Sequence, residues 1–184
     1  MRARAHIAVS AALILALPAC SAETRQQPLR GVLTTPTDID LDWTGTRPGV
    51  AGHVLEFATE EAGPYTVLDH LPRQVSTYRH PDLMPHTTFF YRLRAYRGPV
   101  TRPVRADLPD GIRFTWTDDS ADEDGFLLEM RRKDSGWYEP VAVVDPEVTG
   151  TTLRTLPGEK QATFRIRALV LGEQSNVVRL TSGG

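Results

Sequence analysis

The feature that most constrains this chain is an internal duplication. Trp43 and Trp116 lie 73 positions apart, and the same offset, without a gap, pairs Ile39 with Ile112, Gly52 with Gly125, Leu55 with Leu128 and Glu56 with Glu129. It continues through Gly63 and Gly136, Tyr65 and Tyr138, Leu83 and Leu156, Arg92 and Arg165, Arg94 and Arg167, Ala95 and Ala168, and Val104 and Val177. A register held that long means one structural unit used twice. Within each copy the apolar residues recur every second position. In TFFYRLRAY, Phe89, Tyr91, Leu93 and Ala95 fall on one face of an extended strand and Arg92 and Arg94 on the other; Ala162, Phe164, Ile166 and Ala168 oppose Arg165 and Arg167 in the second copy. The runs IDLDW, HVLEF, YTVLDHL, IRFTW and FLLEM alternate likewise, and segments rich in Gly, Pro and Asp separate them. No stretch of helical length carries a 3.6-residue period, so the expected fold class is all-β, built as antiparallel sandwiches.

The N-terminus is set apart from the fold. Arg2 and Arg4 precede an apolar run, Ile7–Leu17, which has signal-peptide length and is too short for a bilayer core of roughly 30 Å. It closes on Leu17-Pro18-Ala19-Cys20, similar to a bacterial lipobox, in which the thiol of Cys20 receives a diacylglyceryl group and cleavage follows Ala19. The alternative is an ordinary secretory signal. Two or three acyl chains on one cysteine anchor firmly, where a single chain binds only marginally. Cys20 is the only cysteine, so lipidation leaves none for a disulfide. The expected organisation is a lipoprotein signal peptide over 1–19, lipidated Cys20 and tether over 20–28, and two units over 29–108 and 109–184. The expected location is the extracytoplasmic face of a bacterial membrane. Removing residues 1–19 leaves 19 basic and 23 acidic residues, which carries no nucleic-acid footprint.

The ordered motifs resemble the fibronectin type III family. In copy one these are a strand ending in Trp43, the HVLEFAT strand, GPYTVL, and the run from Leu83 to Ala95; in copy two, FTWTDDSADEDGFLLEMR, GWYEPVAVV, LPGEKQATFRIRA and SNVVRLT. The resemblance covers nearly all of the chain beyond the leader. It implies two tandem immunoglobulin-like sandwiches of about seven strands each, normally without a catalytic site. Phe89 and Ala162 stand where that family usually has a corner tyrosine, which lowers the expected stability of each unit. A 73-residue repeat is short for the family. Arg102–Leu108 is therefore expected to be the last strand of copy one, with the first strand of copy two missing or shared and the joint tight.

Residues that could carry chemistry are few. Arg92, Arg94, Arg165 and Arg167 are read as facing outward beside Glu56 and Glu129, as repeated cross-strand ion pairs in preference to a ladder for an acidic ligand. The acidic run Asp118–Asp124 lacks the spacing of a calcium loop. His53, His70, His80 and His86 lack metal-ligand spacing, and His53 takes an inward position matched by Phe126. There is no nucleophile elbow, phosphate loop or dinucleotide turn, so no catalytic residue, metal or cofactor is assigned. Trp137 stands where copy one has Pro64, beside a Tyr138 read as inward; it is expected to point outward, either to contact a partner or to cover the joint. The expected function is a non-catalytic, membrane-anchored binding or scaffold lipoprotein facing an envelope protein or polysaccharide. The alternative is a spacer or an accessory module of a carbohydrate-active enzyme complex.

Overall fold

The computed structural model describes residues 28–44 and 47–184. The leader, Cys20 and most of the tether lie outside the described residues. The described chain is all-β apart from one turn of 3-10 helix, Pro157–Gln161. Its strands are β1 (Leu29–Thr35), β2 (Asp38–Trp43), β3 (Gly52–Ala58), β4 (Thr66–Pro72), β5 (Thr77–His80), β6 (Thr88–Arg97), β7 (Val100–Thr101) and β8 (Val104–Leu108). There follow β9 (Gly111–Thr115), β10 (Gly125–Arg131), β11 (Glu139–Val144), β12 (Gly150–Arg154), β13 (Thr163–Gln174) and β14 (Val178–Thr181). Every alternating run in the sequence falls on one of these strands to within one residue at its ends.

Each unit has two antiparallel layers. In the first, the sheet β1-β2-β5 faces β4-β3-β6, and in the second β8-β9-β12 faces β11-β10-β13. The inward positions fill two cores. Ile39, Leu41, Trp43, Leu55, Tyr91 and Leu93 are buried in the first; Ile112, Phe114, Trp116, Leu128, Met130 and Ile166 are buried in the second. Each such side chain contributes about 1.5–3 kcal/mol when fully buried.

The units are interlocked through their last strands. The C-terminal strand β14 pairs with β6 of the first unit, Val178 opposite Tyr91 and Thr181 opposite Thr88. The short β7, which follows β6 in the chain, pairs with β13 of the second unit, Ile166 opposite Thr101. Each unit therefore takes its closing strand from the chain that leaves the other. The long strands β6 and β13 run past their own sandwiches and pair with each other at Arg97 and Val170. These two residues are themselves 73 apart, so the crossing is a local two-fold axis of the duplication. The result is one continuous sheet, β11-β10-β13-β6-β3-β4.

Two expectations are corrected here. Arg102–Leu108 does not close copy one: Val104–Leu108 pairs with Gly111–Thr115, Val104 opposite Thr115, as the first strand of copy two. That strand is thus neither missing nor shared. Pro103 has no backbone N–H to continue the ladder along β13, and the chain crosses to the opposite sheet there.

The face of β3, β6, β10 and β13 read as outward is largely covered, its arginines only partly reaching solvent. The joined sheet curls until its edge strands β4 and β11 touch. Inside the curl lies a third core of Val54, Tyr96, Leu127 and Leu169, with Ala51 and Leu171 against it. Tyr96 is 1 % exposed, although alternation places it with Arg92 and Arg94.

The crossing depends on Gly98. Its φ is +140°, and a Cβ there would sit 1.8 Å from the Ala168 carbonyl oxygen. Gly98→Ala is expected to cost about 2–3 kcal/mol, combining disfavoured backbone with a backbone clash. Chemical denaturation would read this as a lowered midpoint. An unchanged midpoint would mean that the backbone at Gly98 and Ala168 can part without loss of the crossing.

Candidate functional site

The duplicated strands place one repeated cluster on the inner face of the curl. In the first unit Arg92 Nε donates to Glu56 Oε2 at 2.6 Å, and its guanidinium lies 3.9 Å from the Tyr65 ring centre. In the second, Arg165 Nε donates to Glu129 Oε2 and lies 3.9 Å from the Tyr138 ring centre. The cross-strand ion-pair reading thus describes the geometry, with an aromatic lid added. Tyr138 is on the arginine face and not inward as read.

Arg92, Arg94 and Arg167 also tie the units together through further hydrogen bonds. Arg92 Nη1 donates to Gln174 Oε1 at 3.1 Å, and Arg94 Nε to the Gly172 carbonyl at 3.4 Å. Arg167 Nε donates to Glu129 Oε1 at 3.0 Å and its Nη1 to the Gly98 carbonyl at 2.8 Å. Glu129 is 2 % exposed and serves two arginines. Burial, and next the Glu129 carboxylate, raise the Tyr96 phenol above its ordinary value.

Two clefts open along the joint. The larger, about 830 Å³, is lined by Val50, Tyr96, Arg97, Leu171 and Glu173 among others. The smaller, about 400 Å³, has Val50, Ala51, Arg73 and Gln74 of the first unit on one side and Trp137, Tyr138, Arg165 and Arg167 of the second on the other. Trp137 is 42 % exposed at this cleft, so it stands at the joint and reaches solvent at once. Arg73, exposed, makes no side-chain ion pair among the described residues. Sequence reasoning missed Arg73 because it sits in a turn with no repeated arginine opposite it; its counterpart is Pro146.

The remaining candidates resolve into structure. In the acidic run, Asp118 Oδ1 accepts from Ser120 N and Asp124 Oδ2 from Leu171 N. Among the described residues no three His, Cys, Asp or Glu side chains gather as a metal site. His80 Nδ1 lies 3.0 Å from the Tyr91 hydroxyl, within a ring cluster including Phe57 and Phe89.

His53 is fully buried, edge-on to Trp43 with ring centres 5.9 Å apart. The second unit has Phe126 edge-on to Trp116 in the matching place. Burial lowers the His53 pKa from 6.5 to about 4. The unfolded chain then takes up a proton below pH 6.5 that the folded chain refuses until about pH 4. Stability is therefore full above pH 6.5 and falls as pH drops through that window. At pH 5 the loss is about 2 kcal/mol, from 1.36 kcal/mol per pKa unit. His53→Phe should recover it, as read from denaturation midpoints at pH 5 and 7. Burial lowers His70 and His80 too, so some acid sensitivity remains in the variant. An unaltered difference between the two pH values would refute the assignment to His53.

No protein-family model matches the chain, and no curated protein matches it. Solved structures similar to it include an Fn3-like protein from Clostridium thermocellum, 24 % identical over 38 % of this chain and 73 % of that one, TM-score 0.34. A two-domain fibronectin type III segment of chicken tenascin is 17 % identical over 86 % of this chain and 99 % of that one, TM-score 0.34. The chicken CNTN1 FN1–FN3 domains are 13 % identical over 86 % and 67 %, TM-score 0.33. By its own strand pairing the chain is an all-β protein of two antiparallel, immunoglobulin-like sandwiches, each closed by a strand from beyond the other.

Proposed function

We propose that the chain is a non-catalytic binding or scaffold lipoprotein, held by acyl chains on Cys20 at the extracytoplasmic face of a bacterial membrane. It presents its two sandwiches to an envelope protein or polysaccharide as one body. The observation that carries this reading is the interlock. The pairing of β6 with β13 and the exchanged strands hold the joint in one geometry, which suits a surface assembled from both units better than a flexible string of modules. Fibronectin-like sandwiches commonly serve such binding roles, and the described clefts lie along the joint, lined by arginine and aromatic side chains.

The test is intact mass and fractionation of the native protein, followed by capture of partners from solubilised envelopes. The expected N-terminus is diacylated Cys20 in the membrane fraction, with Cys20→Ser shifting the protein to the soluble fraction. Capture should return one specific partner or glycan. An N-terminus retaining Met1 would overturn the anchoring half of the proposal, and an empty capture the binding half.

A further inference from the structure

The duplication makes one side of the joint a control for the other. Six lining positions separate the cleft at Trp137 from its counterpart 73 residues away, among them Gly49 for Asp122 and Gln74 for Glu147. Trp137 stands for Pro64, Arg73 for Pro146, and Val50-Ala51 for Glu123-Asp124. The counterpart positions set Arg92 and Arg94 against Glu56, Asp122, Glu123, Asp124 and Glu147, a net charge of −3. At the cleft itself Arg73, Arg165 and Arg167 face Glu129 alone, a net charge of +2. Glu129 is already engaged by Arg165 and Arg167, so among the described residues the cleft cation without an ion-pair partner is Arg73, which lines the cleft together with the exposed Trp137.

An indole face takes the C–H face of a sugar ring, and a guanidinium takes a carboxylate in two parallel hydrogen bonds. A cavity of about 400 Å³ is within the size range of small-ligand sites. The apolar part of its wall from the first unit carries only the short side chains of Val50 and Ala51 beside Gly49, while Gln74 supplies an amide for hydroxyl groups. We propose that this cleft binds acidic saccharides, with one ring on Trp137 and a uronate carboxylate on Arg73. The inference rests on the binding reading above and names its ligand class.

The experiment is calorimetric titration of the mature full-length chain with tetrasaccharides of galacturonate, glucuronate and mannuronate, against their carboxyl-reduced neutral forms. At least one uronate is expected to saturate the protein, with at least tenfold weaker binding to its neutral form. Trp137→Ala and Arg73→Gln should each lower affinity at least tenfold with unchanged melting temperature, Trp137→Phe should retain most of it, and Pro64→Ala at the counterpart should change nothing. Absence of saturable binding to all three uronates would overturn the site. So would equal binding of neutral forms, equal binding of tetraglutamate, or full affinity in the Trp137→Ala/Arg73→Gln double variant. If no uronate binds while the wild-type protein still captures a partner from envelopes, the saccharide site falls and the scaffold reading stands.

Discussion

Deleting residues 175–184 is expected to unfold the first unit, residues 29–97, although the cut is made at the far end of the second. The segment belongs to the first unit by its strand pairing and by its hydrogen bonds to the described residues outside it. Ser175 exchanges hydrogen bonds with the Leu93 backbone, and Asn176 with that of Leu29. Beyond β14, Ser182 Oγ accepts from Thr87 N and donates to the Met84 carbonyl, and Gly183 N donates to the Pro36 carbonyl. The side chains of Val178 and Leu180 pack over Gly31, which has no side chain of its own to fill the space, and border the first core. Losing the two apolar side chains costs about 3–5 kcal/mol at 25–30 cal/mol per Å². The severed ladder and the side-chain bonds add about 0.5–1.5 kcal/mol each. Even the lower figures bring the loss above about 6 kcal/mol, within the roughly 5–15 kcal/mol that holds a small domain folded. Hydrogen exchange read by mass spectrometry should show protection lost across β2, β3 and β6 and largely kept across β9, β10 and β12. Protection lost first from the second unit would mean that β14 closes the sandwich it follows in sequence.

The strands were legible because alternation and turn residues mark them locally, and the 73-residue register marks them twice. IDLDW and IRFTW could each be placed without knowing what they face. The exchange was not legible, because it depends on where β6 and β13 stop. Nothing local tells a strand to run past its own sandwich to Arg97 or Gln174, and at the repeat offset Val104 and Val177 look equivalent. The structure uses them differently: one opens β8 of the second unit, while the other precedes the strand that closes the first. A signal for the buried outer face was present. HVLEF and FLLEM carry Val54 and Leu127 on the arginine side, and strands apolar on both faces are covered on both faces. The repeated arginines and glutamates dominated that reading, since charged residues are ordinarily the solvated side. The cleft at Trp137 was half legible, because the tryptophan is a departure from its own repeat. Its cationic partner Arg73 comes from the other unit, and only the curl of the sheet brings the two together.

Glu129→Gln should be the most damaging conservative substitution at the joint. The carboxylate is 2 % exposed and compensates two guanidiniums, whose side chains are 29 % and 12 % exposed. Removing its charge leaves Arg165 and Arg167 facing each other with their desolvation uncompensated, and breaking a buried pair in this way costs about 3–5 kcal/mol. The partial exposure of Arg165 sets the expectation near the lower end, about 3 kcal/mol. Glu56 is the internal comparison: it is 10 % exposed and pairs with Arg92 alone, at 23 %, so Glu56→Gln should cost about 1–2 kcal/mol. Raised ionic strength should restore part of the loss in Glu129→Gln, since the residual term is repulsion between like charges that salt screens. The same substitution moves the cleft from +2 to +3, so uronate affinity should rise several-fold while stability falls. Opposite signs in the two measurements are hard to obtain from general loosening of the fold, which would lower both. Equal costs for the two glutamates, or joint loss of stability and affinity, would show that the Glu129 carboxylate neither holds the joint nor limits the charge of the cleft.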